Sequence, residues 1–128
     1  ESERIAIYSK ISELFTVEQF ENLKSELESS IGELPKETIN LMKIGLLKNL
    51  AQDNYVQRVV MNDKECKFVL YKQEKIVTDE IAAALKEFRN ETSLQFEKDP
   101  IINFKLSMNS DEKLDFLIKF LSFKKSEN

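Results

Sequence analysis

Two adjacent carboxylate pairs, Asp79-Glu80 and Asp111-Glu112, are the residues of this chain whose type and spacing come nearest to general acid–base chemistry. That chemistry needs two carboxyl groups whose surroundings push their pKa values apart. Both pairs fall in the first turn of a helical pattern, where the positive end of the helix dipole favours acids. Cys66 is the one thiol, set in a β-patterned segment, and the chain holds no histidine to take its proton. The same absence excludes histidine-based triads and histidine-ligated zinc. Gly32 and Gly45 are the only glycines, so there is no glycine-rich phosphate loop. The sequence therefore reads as a non-enzyme without cofactor or metal.

Binding chemistry is better represented. Residues 1–34 carry three basic and eight acidic groups, residues 35–75 eight and five, and residues 76–128 eight and ten. The middle section alone is basic, at +3 within a chain of net charge −4. Lys36, Lys43, Lys48, Arg58, Lys64 and Lys67 are its candidate phosphate contacts. Such contacts work by accumulated charge, and acids at 37, 53, 63, 65 and 74 interrupt this patch. Apolar residues offer a second kind of site. Near the C-terminus Leu114, Leu117, Ile118 and Leu121 form one helical stripe, and Phe116, Phe120 and Phe123 form another displaced around the axis. A helix apolar over most of its circumference must be buried on more than one side, either by its own chain or by another.

These residues need elements to position them. Ile5, Tyr8, Ile11, Leu14 and Phe15 recur at helical spacing. Thr16-Val17-Glu18-Gln19 reads as a capping box opening a second helix, which Gly32 closes with a left-handed cap. Pro35 opens a third helix over 35–52, in which Gly45 invites a close helix contact. A β-branched cluster at Val56, Val59 and Val60, a polar turn over 62–65 and an alternating run from Cys66 to Tyr71 predict a β-hairpin over 55–72. Thr78 caps a fourth helix through about Phe88. Residues 90–109 fit a strand or a short helix, with a break at Asp99-Pro100. A last helix runs from Ser110 to near Phe123, with a polar tail beyond. Six of the nine phenylalanines lie at or after residue 88.

The fold class expected is mainly α with a β-hairpin (α+β), in one domain over 1–128. A lone cysteine fits a reducing compartment, and no apolar run reaches the roughly 18 residues of a membrane span. The chain starts without Met and without a signal-peptide pattern, as a fragment of a longer protein would.

Helix 35–52, hairpin 55–72 and the string Lys75-Ile76-Val77-Thr78-Asp79-Glu80-Ile81-Ala82-Ala83-Ala84-Leu85 resemble the C-terminal winged helix of initiator-type AAA+ ATPases, the family of the largest origin-recognition-complex subunit. The acidic balance and aromatic extension resemble most its diverged silencing branch, the yeast silent information regulator heterochromatin protein. The resemblance implies a variant winged helix over about 5–89 with an aromatic-rich helical extension over about 90–123. It further implies a nuclear homodimerisation module of a chromatin-associated silencing protein, meeting other chromatin proteins through its parent chain. The expected dimer surface is Leu117, Phe120, Leu121 and Phe123, with Val59 and Val60 on a possible edge strand. The alternative is a DNA-binding winged helix using residues 35–72, and a third reading is an adaptor whose last helix docks in a partner's groove. No membrane contact is expected.

Overall fold

The computed structural model describes residues 2–72 and 78–127. Lys75, Ile76 and Val77 of the string above lie outside the described residues. Among the described residues five helices and four strands follow one another: α1 (Ser2–Ile11), α2 (Val17–Ile31), α3 (Lys36–Asp53), β1 (Val56–Met61), β2 (Cys66–Leu70), α4 (Asp79–Glu87), β3 (Thr92–Phe96), β4 (Pro100–Phe104) and α5 (Ser110–Glu127). The fold is α+β, with one antiparallel sheet ordered β1-β2-β4-β3.

Local chemistry sets most boundaries. The Thr16 hydroxyl accepts the Gln19 N–H at 3.0 Å, and the Gln19 side chain accepts from Phe15 at 2.8 Å. The box thus closes one residue earlier than the ideal pattern, in which the N-cap's own N–H is the donor. Gly32 ends α2 at φ 85°, ψ −162°, outside the left-handed helical basin expected of it but in a region essentially reserved for glycine. Asn62 replaces a glycine in the β1–β2 turn. Its side-chain oxygen accepts the N–H groups of Lys64 and Glu65, both at 2.9 Å, an Asx-type turn.

The segment 90–109 resolves into a second hairpin. Pro100 stands first in β4, where a missing N–H is tolerated. β4 then pairs with β2 through Lys67↔Asn103, Phe68↔Ile102 and Val69↔Ile101. This pairing corrects the winged-helix expectation: a wing projects free, whereas β2 is an interior strand.

α5 lies against the inner face of that sheet. Phe120 sits edge-on to Phe104 at 5.0 Å and to Phe68 at 6.0 Å, and 6.1 Å from Phe88 just beyond α4. Leu117, Phe120 and Leu121 are buried within the chain itself, so they leave nothing for a second copy to cover. Phe123 is half-buried against Phe88 at 5.6 Å. The dimer surface expected there is corrected accordingly: both apolar stripes of α5 serve the chain's own core. The helix also runs to Glu127, beyond the expected end near Phe123.

α1 is clasped to α3. A Cβ added at Gly45 would meet Ile11 Cγ2, and the Asn49 side-chain amide donates to the carbonyls of Ser12 at 3.2 Å and Leu14 at 2.7 Å. These carbonyls lie just beyond the end of α1, in the link to α2.

Two predictions follow from this packing. Phe120→Ala should cost about 3–5 kcal/mol of unfolding free energy in a denaturant titration. A loss below about 1 kcal/mol would mean the core does not depend on that ring. Gly45→Ala gains about 1 kcal/mol of helix propensity but overpacks Ile11, which costs about 1–3 kcal/mol. It should lower the melting temperature in the wild-type background and raise it in an Ile11→Ala background.

Candidate docking groove

The six cations do not converge. Lys36 pairs with Asp111 at 2.7 Å, Lys43 with Asp115 at 2.7 Å and Lys67 with Glu65 at 3.4 Å. Lys64 stands exposed in the β1–β2 turn, and only Lys48 and Arg58 share a feature. The first two pairs tie α3 to α5 and so support the fold. Among the described residues no cluster of three or more metal-ligating side chains occurs, and no helix is long and apolar enough to cross a membrane.

The shared feature of Lys48 and Arg58 is an open groove of ≈ 630 Å³ between α3 and β1, floored by Leu47, Ala51 and Leu114. α3 places Ile44 and Lys48 one turn apart on its rim. β1 supplies Val56, Gln57, Arg58, Val59 and Met61, and Tyr55 and Tyr71 close the end. Ile44, Tyr55, Met61 and Tyr71 are 45%, 51%, 36% and 53% exposed. Scattered apolar exposure is ordinary, but clustering of this kind marks an interaction surface.

Tyr55 carries a second mark. Its φ is 59°, the only positive value at a non-glycine among the described residues. Here α3 stops and β1 begins, a position that usually falls to glycine. Holding a bulky side chain in that region costs about 1–2 kcal/mol. The neighbours fix it: Tyr71 N–H donates to the Tyr55 carbonyl at 3.0 Å, and buried Asn54 donates its amide to Leu50 at 2.8 Å.

Of the carboxylate pairs, Asp111 is held in an ion pair. The Lys36 ammonium, hydrogen-bonded to Asp111, holds that carboxyl below its usual 3.8, and Asp111 in turn raises Lys36 above 10.5. Burial pushes the Cys66 thiol up and so favours the unreactive protonated form, opposed in part by the charge of Lys113.

Val59 and Val60 do lie on an edge strand, half-buried, with Val59 packed against the core. Sequence reasoning missed Ile44, Tyr55, Met61 and Tyr71 as a group. The available signal was Ile44, an apolar residue off the α3 stripe of Ile39, Met42, Leu46, Leu47 and Leu50.

The TRCF domain family model matches residues 1–81, which include every groove residue except Leu114. The chain belongs to the TRCF domain family. The transcription-repair-coupling factor of Borreliella burgdorferi is 26% identical to this TRCF domain over 128 residues, which are 98% of the chain and 11% of that protein. The crystal structure of the C-terminal domain of a transcription-repair coupling factor superposes with a TM-score of 0.78 at 24% identity, covering 100% of this chain and 84% of that one. These matches overturn the resemblance to the origin-recognition and silent-information-regulator proteins. With it go the nuclear setting, the chromatin partners and the silencing homodimer, since the matches are to the TRCF domain and to a bacterial transcription-repair-coupling factor.

The Lys36–Asp111 pair predicts a pH effect with a definite sign. A carboxyl held below its unfolded pKa contributes stability that is present above about pH 3.8 and lost as pH falls through its folded value. Melting temperatures measured from about pH 5 to pH 2 should therefore fall more steeply for the wild type than for Asp111→Asn. Parallel curves would show that the pair adds nothing to the acid limb.

Proposed function

We propose that this chain is a non-catalytic docking module carried within a transcription-repair-coupling protein, in the C-terminal region that its solved structural neighbour represents. The observation that carries the reading is the coincidence of family match and groove. The matched residues 1–81 supply both of its walls, including the strained tyrosine. The exposed rings and aliphatic side chains there have the character of binding anchors, with Tyr and Arg prominent among them. The carboxylates, the thiol and the absence of histidine favour binding over catalysis. Reading residues 1–128 as one unit is supported by the buried apolar residues, which among the described residues form a cluster drawn from the helices and the sheet.

The test uses Tyr55→Gly, which relieves the positive φ while removing the ring. Against the strain relieved stands the greater backbone freedom of glycine in the unfolded chain, so stability should stay within about 1 kcal/mol of wild type. Introduced into the parent protein in bacterial cells, the substitution should weaken the coupling of repair to transcription, read as the difference in repair between transcribed and untranscribed DNA strands. Strand preference indistinguishable from wild type, at equal protein level, would overturn the reading.

A further inference from the structure

β1 ends the sheet, and its outer edge borders the groove. Asn62 N–H donates to the Glu65 carbonyl at 2.9 Å, which makes 62 and 65 a hydrogen-bonded pair. Antiparallel pairs alternate, so in the register Val60↔Lys67 and Val59↔Phe68 the backbone of Val60 faces β2. The N–H and C=O groups of Val59 and Met61 then face outward. They present two donors and two acceptors at strand spacing, beside an apolar trough. The charged side chains lining that trough are Lys48 and Arg58, with no carboxylate among them, in a chain of net charge −4.

We propose that this edge and groove bind a partner protein's extended segment as a fifth strand, one that alternates apolar residues with Asp or Glu. The proposal rests on the docking reading above and names its ligand. The outward backbone groups require a strand: a helix lying over them would bury them without partners, which is costly. Apolar side chains on one face of the added strand enter the trough between Ile44 and Tyr71. Carboxylates meet Arg58, whose planar fork suits them. A second copy of this chain fits poorly, because two-fold pairing of β1 with β1 brings two cationic grooves side by side, each lined by Lys48 and Arg58 and no carboxylate. The β1–β2 register slips between Val56 and Arg58, a β-bulge. Bulges and edge charges guard strands against self-pairing, and among the described residues no further strand pairs with Val59–Met61.

Phage-displayed random peptides of about nine residues, the length of a long strand, should be panned on the 128-residue chain, and the best binder synthesised. The enriched sequences should alternate apolar residues with Asp or Glu. Arg58→Glu should weaken that peptide by about tenfold or more in fluorescence anisotropy, with an unchanged circular dichroism spectrum and melting temperature. N-methylation of every second amide should abolish binding in one phase and spare it in the other, as only one set of amides faces β1. Enrichment of basic or helix-spaced peptides, equal loss in both phases, a doubled mass by light scattering, or no enriched peptide would overturn strand addition. If no peptide is recovered while Tyr55→Gly still alters strand-preferential repair, strand addition fails and docking stands. If the peptide binds but Tyr55→Gly leaves repair unaltered, the role in coupling fails instead.

Discussion

The edge-to-face contact of Phe120 with Phe104 and Phe68 fixes α5 across the middle of the sheet, and the other elements take their places from it. Phe104 stands on β4 and Phe68 on β2, so one ring spans the junction of the two hairpins. Phe88 reaches the same cluster from the end of α4 and touches Phe116 at 5.2 Å and Phe123 at 5.6 Å. Each aromatic contact adds about 0.5–1.5 kcal/mol beyond the area it buries. The greater effect is geometric, since three non-contiguous segments must assemble for any ring to be covered. α3 then lies along the other flank of α5, aligned by the Lys36–Asp111 and Lys43–Asp115 pairs.

The groove is a consequence of that arrangement. With α5 and the sheet committed to each other, α3 must deliver the chain into β1 in a single abrupt turn. Tyr55 makes the turn in a left-handed conformation, held on one side by Tyr71 and on the other by the buried Asn54 cap. Strain persists only where its surroundings over-determine it, and these hydrogen bonds meet that condition. The same turn throws the Tyr55 ring outward beside Tyr71, while Ile44 and Lys48 face the gap from α3. A scaffold contact some distance away thus dictates a surface feature.

Much of the local structure is legible in the residues. The Thr16 and Thr78 caps, the Gly45 approach and the first hairpin follow from short-range rules, and the structure contains each of them. The sheet beyond that hairpin is not legible in this way. Pairing of Phe68 with Ile102 joins residues far apart in sequence, and nothing in Ile101-Ile102-Asn103-Phe104 says which strand it will meet. The two stripes of α5 correctly signal burial on two sides. Periodicity cannot say whether the covering surface belongs to the same chain, and here the sheet, α3 and α4 supply it. The winged-helix resemblance rested on the local order of three helices and a hairpin, an order shared by folds that differ in what lies against the hairpin. The groove was hidden for the opposite reason: its parts are single residues from α3, β1 and the loops, none of them periodic.

Electrostatics bears on how such a groove selects a partner. The chain as a whole is acidic, at net charge −4, while the charged side chains lining the groove are both cationic. An acidic segment is therefore repelled at long range and attracted only once it is close to Lys48 and Arg58. Salt at physiological strength screens beyond about 8 Å, which removes the distant repulsion while largely sparing the contact. Affinity then depends on what the segment finds on arrival, namely backbone partners at Val59 and Met61, a trough for its apolar side chains, and two cations. Association with little electrostatic steering proceeds at ordinary rates, so discrimination falls on the lifetime of the complex. That lifetime is set by shape and hydrogen bonding, which the strained turn at Tyr55 and the α5-anchored sheet hold in place before any partner arrives.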